Sequence, residues 1–261
     1  MIRALRAELV KVGRARVLLV TAAAAVFAVG GAAVVLAAAQ PAAEAAAGRG
    51  LTVEALSDAG GGTQVFRTAA SFAGFFVFVL FVGAGAVEFG RGTFRTMLLR
   101  QPRRLPLLIG KTAGLLAFAA SVLLVTEVAT WIAARLLAPS QGVPTEAWAT
   151  VSGLVQGLGD YGAVLFWVTA YAVLGLTLAV LLRSVAVALA VGIGWAGPFE
   201  HILQDAWDPA SRLFPGLLLE AFVAGGTPQV SAPRAFMTVA AYMALAAVVA
   251  GASFARRDAV A

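Results

Sequence analysis

The chain has 261 residues, of which 61% are hydrophobic and only 12% are charged. This apolar share exceeds that of a soluble domain, and the longest apolar runs can cross a bilayer. The absence of cysteine excludes disulfides and thiolate metal sites, and the single histidine, His201, excludes a multi-histidine metal centre. Composition therefore predicts an all-α integral membrane protein.

The net charge of +6 is spread over short segments of the chain. Nucleic acid binding needs basic residues on one continuous face, so no nucleic acid partner is expected. Arginine outnumbers lysine 17 to 2 and alanine is abundant, which indicates a GC-rich bacterial genome.

The first segment, residues 1–16, is basic and has apolar residues at helical spacing. This pattern is typical of an interfacial helix that lies along the cytoplasmic membrane surface. A cleaved signal peptide is the alternative, with Ala37 to Ala39 as the cleavage site. The apolar run over residues 17–39 would be about 34 Å long as a helix, which is too long for the apolar core of a signal and suits a span.

Six apolar runs predict six transmembrane helices. They cover residues 17–39, 69–87, 107–137, 161–182, 185–199 and 236–254. The fifth run is short because Pro198 interrupts it. Residues 40–71 and 138–160 are interpreted as external loops.

The distribution of basic residues predicts the orientation of these spans. Fourteen of the 19 basic residues, but only three of the 13 acids, fall in segments that the six-span topology places on one side. Basic residues are retained on the cytoplasmic side of a membrane. Both termini and residues 88–111 are therefore predicted to face the cytoplasm from a bacterial cytoplasmic membrane.

Residues 198–226 are too apolar for a plain external loop, and Pro209 and Pro215 break them into pieces too short to span. Two short helices are expected, over about residues 199–207 and 215–224. Their backbone needs protein or interface around it, so the sequence predicts a re-entrant hairpin in the outer leaflet. His201 beside Glu200 is expected to form an ordinary polar pair there, with a role in gating as the alternative.

Glu127 is the only acid deep inside an expected span, about 24 Å beyond Lys111 along the helix. A carboxyl in a membrane is costly and is a functional candidate by default. The alternatives are that it bonds to Thr130 or Trp131, or that it is protonated.

The remaining motifs do not indicate catalysis. Gly110, Lys111 and Thr112 imitate the end of a phosphate-binding loop, but the glycine required five residues before the Gly-Lys pair is Leu105 here. No paired carboxylates and no Ser/His/Asp set occur in a suitable pattern. The chain is not expected to be an enzyme.

The connection between the second and third spans, residues 88–111, holds six basic residues and one acid, Glu88. Within it, residues 93–99 can form about two helical turns with Phe94, Met97 and Leu98 on one face. Such a helix can lie on lipid headgroups, form the frayed ends of two spans, or dock into a soluble partner. Periodicity leaves these alternatives open.

A series of motifs follows the basic N-terminal segment. A glutamate ends the second span, and a Gly-Thr pair, a Leu-Leu pair, a Pro-Arg turn and a lysine opening the third span come after it. These are Glu88, Gly92-Thr93, Leu98-Leu99, Pro102-Arg103 and Lys111. Together with the external hairpin, this arrangement resembles the membrane subunits of ATP-binding-cassette transporters of the type-2 exporter class.

The resemblance implies a coupling helix that inserts into a separate cassette ATPase. The residues implied in that contact are Glu88, Arg91, Thr93, Phe94, Arg95, Met97, Leu98 and Leu99. It implies no cofactor in this chain, with ATP and Mg²⁺ bound by the partner. It also implies a dimer with a second copy or a related permease.

The resemblance further implies a substrate path between protomers and an external gate. The path candidates are Glu127, Trp131 and Phe76, and the gate candidates are Pro198, Glu200, His201, Phe214 and Pro215. The expected function is export of a hydrophobic or amphipathic substrate, such as an antibiotic, a peptide or a lipid-like molecule. An ATPase-independent carrier, or a scaffold subunit of a membrane complex, is the alternative.

Overall fold

A computed structural model describes residues 15–41, 51–90, 97–99 and 103–256. Within these ranges the chain is helical and contains no strand, which confirms the predicted all-α class. The expected interfacial helix lies outside the described residues, except that Ala15 and Arg16 open the first helix.

The helices differ widely in length. In chain order they are α1 (Ala15–Ala37), α2 (Val53–Ser57), α3 (Gly61–Ser71), α4 (Gly74–Gly90), α5 (Arg104–Leu137), α6 (Val151–Leu182), α7 (Val185–Gly194), α8 (Glu200–Ala206), α9 (Ala210–Leu213), α10 (Pro215–Val223) and α11 (Ala232–Arg256). Two 3₁₀ turns, Ala138–Gln141 and Glu146–Ala149, follow α5, and a π-helical turn, Trp195–Phe199, joins α7 to α8.

Four helical segments among the described residues are long and apolar enough to cross a membrane. They are Leu18–Ala37, Arg104–Gln141, Val151–Leu182 and Ala232–Arg256. A fifth crossing is added if Gly61–Ser71 and Phe76–Phe89 form one broken span. Helix α7 has only 10 residues, about half of what a crossing takes. The molecule is thus a helical membrane protein, and its six-span topology stays a prediction.

The two segments interpreted as external loops contain helix. Residues 40–71 hold α2 and α3, and residues 138–160 hold both 3₁₀ turns and the start of α6. The Thr52 hydroxyl caps α2 by accepting the Ala55 N–H at 3.1 Å. The glycine-rich sequence argued for a loop, but burial of one helix face outweighs such weak local preferences.

The chain folds into two compact units. Of the described residues, the first unit comprises those within 73–118 and 166–256, and the second comprises those within 15–72 and 119–165.

The core of the second unit is built around Trp148, which is fully buried. Its indole N–H donates to the carbonyl of Leu56 at 2.8 Å. Gly62 lies against the same ring, and a Cβ at that position would come within 2.8 Å of it. Helix α1 packs on α3, where a Cβ on Gly31 would lie 3.0 Å from the Cβ of Ala69. Small residues therefore allow these helices to approach closely.

The first unit also uses glycine where helices meet. A Cβ on Gly85 of α4 would lie 2.8 Å from the Cβ of Ala179 of α6. Gly192 of α7 lies against Phe78 of α4, with a built Cβ only 3.2 Å from the ring. Helix α10 packs along α11. The glycine at position 192 thus serves packing within the chain.

Candidate functional site

A buried ion pair joins the two ends of the basic connection. The Lys111 ammonium lies 2.8 Å from a carboxylate oxygen of Glu88, and the two side chains are only 7% and 19% exposed. Glu88 lies near the end of α4 and Lys111 in the second turn of α5. Two residues that the sequence identified as separate motifs therefore meet as one pair.

The ends of four helices gather around this pair. We call this region the basic pole and define it by the ion pair, Arg104, Arg183 and an apolar cluster. The cluster consists of Leu107, Val180, Ala250 and Phe254, and the residues packed against it are Phe89, Met97, Leu98 and Leu108. The Arg183 guanidinium lies 5.7 Å from the centre of the Phe89 ring, and Arg104 donates to the carbonyl of Ala255 at 3.3 Å. The ends of α4, α5, α6 and α11 are held together there.

The residues expected to contact an ATPase differ in their surroundings. Met97 and Leu98 pack on the apolar cluster of their own chain, whereas Leu99 is 82% exposed. Glu88 forms the ion pair with Lys111 described above. Four more of these residues, Arg91, Thr93, Phe94 and Arg95, lie outside the described residues. Of Met97, Leu98 and Leu99, only Leu99 leaves most of its surface open to a partner.

The alternative in which Glu127 bonds to Thr130 is not seen among the described residues. Glu127 is 8% exposed on α5, and the buried Thr130 hydroxyl has no hydrogen-bond partner among the described residues. Trp131 packs on the core of the second unit, and the Arg135 guanidinium lies 5.2 Å from the centre of its ring. The third path candidate, Phe76, is 57% exposed on α4 in the first unit.

Glu127 is not the only acid within an apolar helix. Asp160, which the sequence placed in an external loop, lies inside α6 and pairs with Arg67 of α3 at 3.1 Å. Asp160 also acts electrostatically on Glu127. Sequence reasoning missed this group because the apolar run was taken to begin at Tyr161, one residue after Asp160. We call Arg67, Asp160 and Glu127 the charged triad.

Glu200 is fully buried and organises the hairpin of residues 198–226. Its carboxylate accepts the Leu217 N–H at 3.1 Å, and the Gly216 N–H and the Trp195 indole also donate to it. It therefore satisfies the first amides of α10, which begins at Pro215. Burial raises the pKa of Glu200, and these hydrogen bonds act in the opposite direction.

The expected polar pair of His201 with Glu200 is wrong. His201 lies 3.4 Å from a carboxylate oxygen of Glu220 on α10, and both side chains are substantially exposed. Neighbouring residues on one helix point in different directions, so Glu200 faces inward while His201 faces the surface.

The other gate candidates lie in an aromatic cluster. The Phe214 ring meets Trp195 edge-on at 5.6 Å and Trp207 at 6.3 Å between ring centres. The Tyr242 hydroxyl of α11 donates to the carbonyl of Leu213 at 2.9 Å. Pro198 is exposed within the π-helical turn. The hairpin thus has two short helices close to their expected positions, anchored to α11.

No family model and no curated protein matches this chain. Among the described residues, no group of three or more His, Cys, Asp or Glu side chains is arranged to hold a metal ion. The fold defines the class as an all-α membrane protein.

Proposed function

We propose that this chain is the permease subunit of an ATP-driven exporter, energised by a separate cassette ATPase. The observation that carries the proposal is the basic pole. A connection that receives a movement from a soluble partner has to pass it to the spans, and both ends of this connection are tied by the Glu88–Lys111 pair.

The apolar cluster extends this link to further helices. Met97 and Leu98 pack against the apolar cluster, whose members belong to α5, α6 and α11. A push on the connection would therefore reach three helices besides α4. The exposed Leu99 would sit in the groove of the ATPase, together with Phe94 and Arg95.

The rest of the proposal follows from charge and hydropathy. Six spans, with both termini and the basic pole in the cytoplasm, agree with the retention of basic residues on that side. The permease works as a dimer with itself or a relative in a bacterial cytoplasmic membrane. The ATPase holds ATP and Mg²⁺, and the cargo is a hydrophobic or amphipathic molecule.

The test is co-purification of the chain with its cassette ATPase, followed by substrate-stimulated ATP hydrolysis in reconstituted vesicles. Phe94→Ala combined with Arg95→Ala should weaken the complex at least about a hundredfold, because buried aromatic and arginine anchors dominate such interfaces. Leu99→Ala should weaken it to a smaller extent, since a leucine removes less buried area.

Met97→Ala provides the matched control. Met97 packs on its own chain, so its truncation should lower the thermal stability of the permease alone. Retention of the ATPase and full stimulated turnover by the Phe94/Arg95 double variant would reject the coupling assignment.

The charged triad favours a second candidate, an ATPase-independent carrier. An acid and an ion pair on helices of this hydropathy can serve coupling to a proton or ion gradient. Transport in vesicles that persists without ATPase and stops when the proton gradient is dissipated would support this carrier over the exporter.

A further inference from the structure

Two exposed arginines lie where the start of α5 meets the end of α11. Arg103 directly precedes α5, and Arg256 is the last residue of α11. Their chain neighbours are in contact, because Arg104 donates to the carbonyl of Ala255 at 3.3 Å. We call Arg103 and Arg256 the arginine pair. The pair places two positive charges at one corner of the basic pole.

The described acids of the first unit do not offset the arginine pair. Glu88 lies at the same pole, but its carboxylate is 2.8 Å from the Lys111 ammonium. The other described acids of this unit all belong to the hairpin of residues 198–226. That hairpin is bound to α11 at Tyr242, and the helix rises about 20 Å from there to Ala255. Among the described residues, the arginine pair therefore presents positive charge that no acid neutralises.

An exposed apolar stripe runs along α11 towards Arg256. Leu245 and Val248 are 64% and 68% exposed, and Ala252 is exposed one turn further on. Residues three and four apart share one face of a helix, and Arg256 follows Ala252 by four. The same face of α11 therefore changes from apolar to basic at its end.

Helix α5 carries a second apolar stripe beside the first. Leu105 and Ile109 are 44% and 55% exposed, one turn apart and just after Arg103. A Cβ built on Gly251 lies 3.5 Å from the Leu105 side chain, so this stripe adjoins α11 next to Ala252. Both helices are long and apolar enough to span a bilayer, so the exposed stripes face its hydrocarbon. Acyl chains can pack along both stripes and end at the arginine pair.

We propose that the arginine pair is the headgroup site of an anionic phospholipid, whose acyl chains lie along the two stripes. A phosphodiester carries one negative charge, and guanidinium groups donate strong hydrogen bonds to its oxygens. Zwitterionic lipids carry a cation of their own in the headgroup, so the pair selects anionic lipids. The bond from Arg104 to Ala255 holds the two helix ends together before any lipid binds.

This inference goes beyond the proposed transport function and applies to the exporter and to the carrier alike. The test measures lipid binding to the purified, detergent-solubilised full chain by native mass spectrometry, without any ATPase. The probes are dioleoyl phosphatidylglycerol and dioleoyl phosphatidylcholine, which share their acyl chains and differ in headgroup charge. The parent should bind the phosphatidylglycerol at least about tenfold more tightly. Equal affinity for the two lipids would overturn the inference.

Paired substitutions locate the source of this preference. Arg103→Gln with Arg256→Gln should reduce it to less than about threefold and leave phosphatidylcholine binding unchanged. Arg103→Lys with Arg256→Lys keeps both charges, so the preference should stay within about threefold of the parent's. Arg212→Gln with Arg234→Gln is the matched control, since it removes two other exposed arginines of the first unit and should change nothing.

The inference fails if the glutamine variant of the arginine pair keeps the parent's preference, if the lysine variant loses it, or if the control variant loses it equally. Inorganic phosphate in large excess, compared with chloride at equal ionic strength, separates a lipid from a soluble anion. It should leave phosphatidylglycerol bound. Displacement by phosphate would assign the arginine pair to a free anion and reject the lipid site.

Discussion

At the scale of single residues, buried polar groups depend on particular partners. Lys111 is only 7% exposed along its side chain, and its ammonium lies against Glu88. A charge in such surroundings is costly unless its partner is present. Removal of one member of the pair is therefore expected to destabilise the chain mainly because the other member stays buried with an unpaired charge.

Lys111→Met is expected to lower the free energy of unfolding by about 3 kcal/mol, since it leaves Glu88 buried without a cation. The double variant Glu88→Gln with Lys111→Met should recover at least half of the loss, because no charge then remains. Thermal unfolding in detergent measures both effects. An unchanged midpoint for the single variant would contradict the buried pair.

Glu200 should behave as a cap for another helix. Glu200→Ala removes the acceptor for the Leu217 N–H and is expected to cost about 1–3 kcal/mol of stability. Glu200→Gln keeps an acceptor oxygen and should cost clearly less. Asp205→Asn, at an exposed site on the same helix, is the control. Equal losses for the alanine and glutamine variants would rule out the capping role.

At the scale of elements, close approach of helices depends on glycine. Gly62 of α3 has the Trp148 ring at 2.8 Å and Trp131 at 2.9 Å from a built Cβ, whereas Gly30 of α1 has nothing within 4 Å. Both glycines belong to helices, so substitution by alanine changes helix propensity in the same direction at both. The added methyl group meets two tryptophan rings at position 62 and no atom at position 30.

Gly62→Ala should therefore destabilise the chain by about 1–3 kcal/mol through overpacking. Gly30→Ala should be neutral or gain up to about 1 kcal/mol, because alanine is the better helix former. Thermal unfolding of the two variants side by side tests the packing of α3 on the Trp148 core. A Gly62 variant as stable as the Gly30 variant would exclude this arrangement.

At the scale of the whole molecule, orientation in the membrane is the main prediction. The ends of α4, α5, α6 and α11 meet at the basic pole. The distribution of basic residues predicts that these same ends face the cytoplasm. Exposed residues on either side can report this orientation, because the chain has no cysteine of its own.

Leu99→Cys and Gln141→Cys, both at exposed positions, should differ in reaction with a membrane-impermeant maleimide. In intact cells only Gln141→Cys is expected to react, and Leu99→Cys should react after the membrane is opened. Labelling of Leu99→Cys but not of Gln141→Cys in intact cells would reverse the topology.

Much of the fold could be predicted because hydropathy and charge are local properties. The apolar runs predicted α1, α5 and α11, and turn residues predicted the two short helices α8 and α10 to within one residue at each end. The start of α6 was missed by ten residues, because Asp160 and the glycines before it were taken as a loop.

Sequence by itself determined the helical class, the membrane environment and the concentration of basic residues around residues 88–111. Tertiary structure decided which polar groups pair: Glu88 with Lys111 across 23 residues, Arg67 with Asp160 across 93, and His201 with Glu220 instead of its neighbour. The physical reason is that composition and periodicity act along a single segment. A pair between helices depends on which faces meet, and this is set by the packing of small residues and rings from distant parts of the chain.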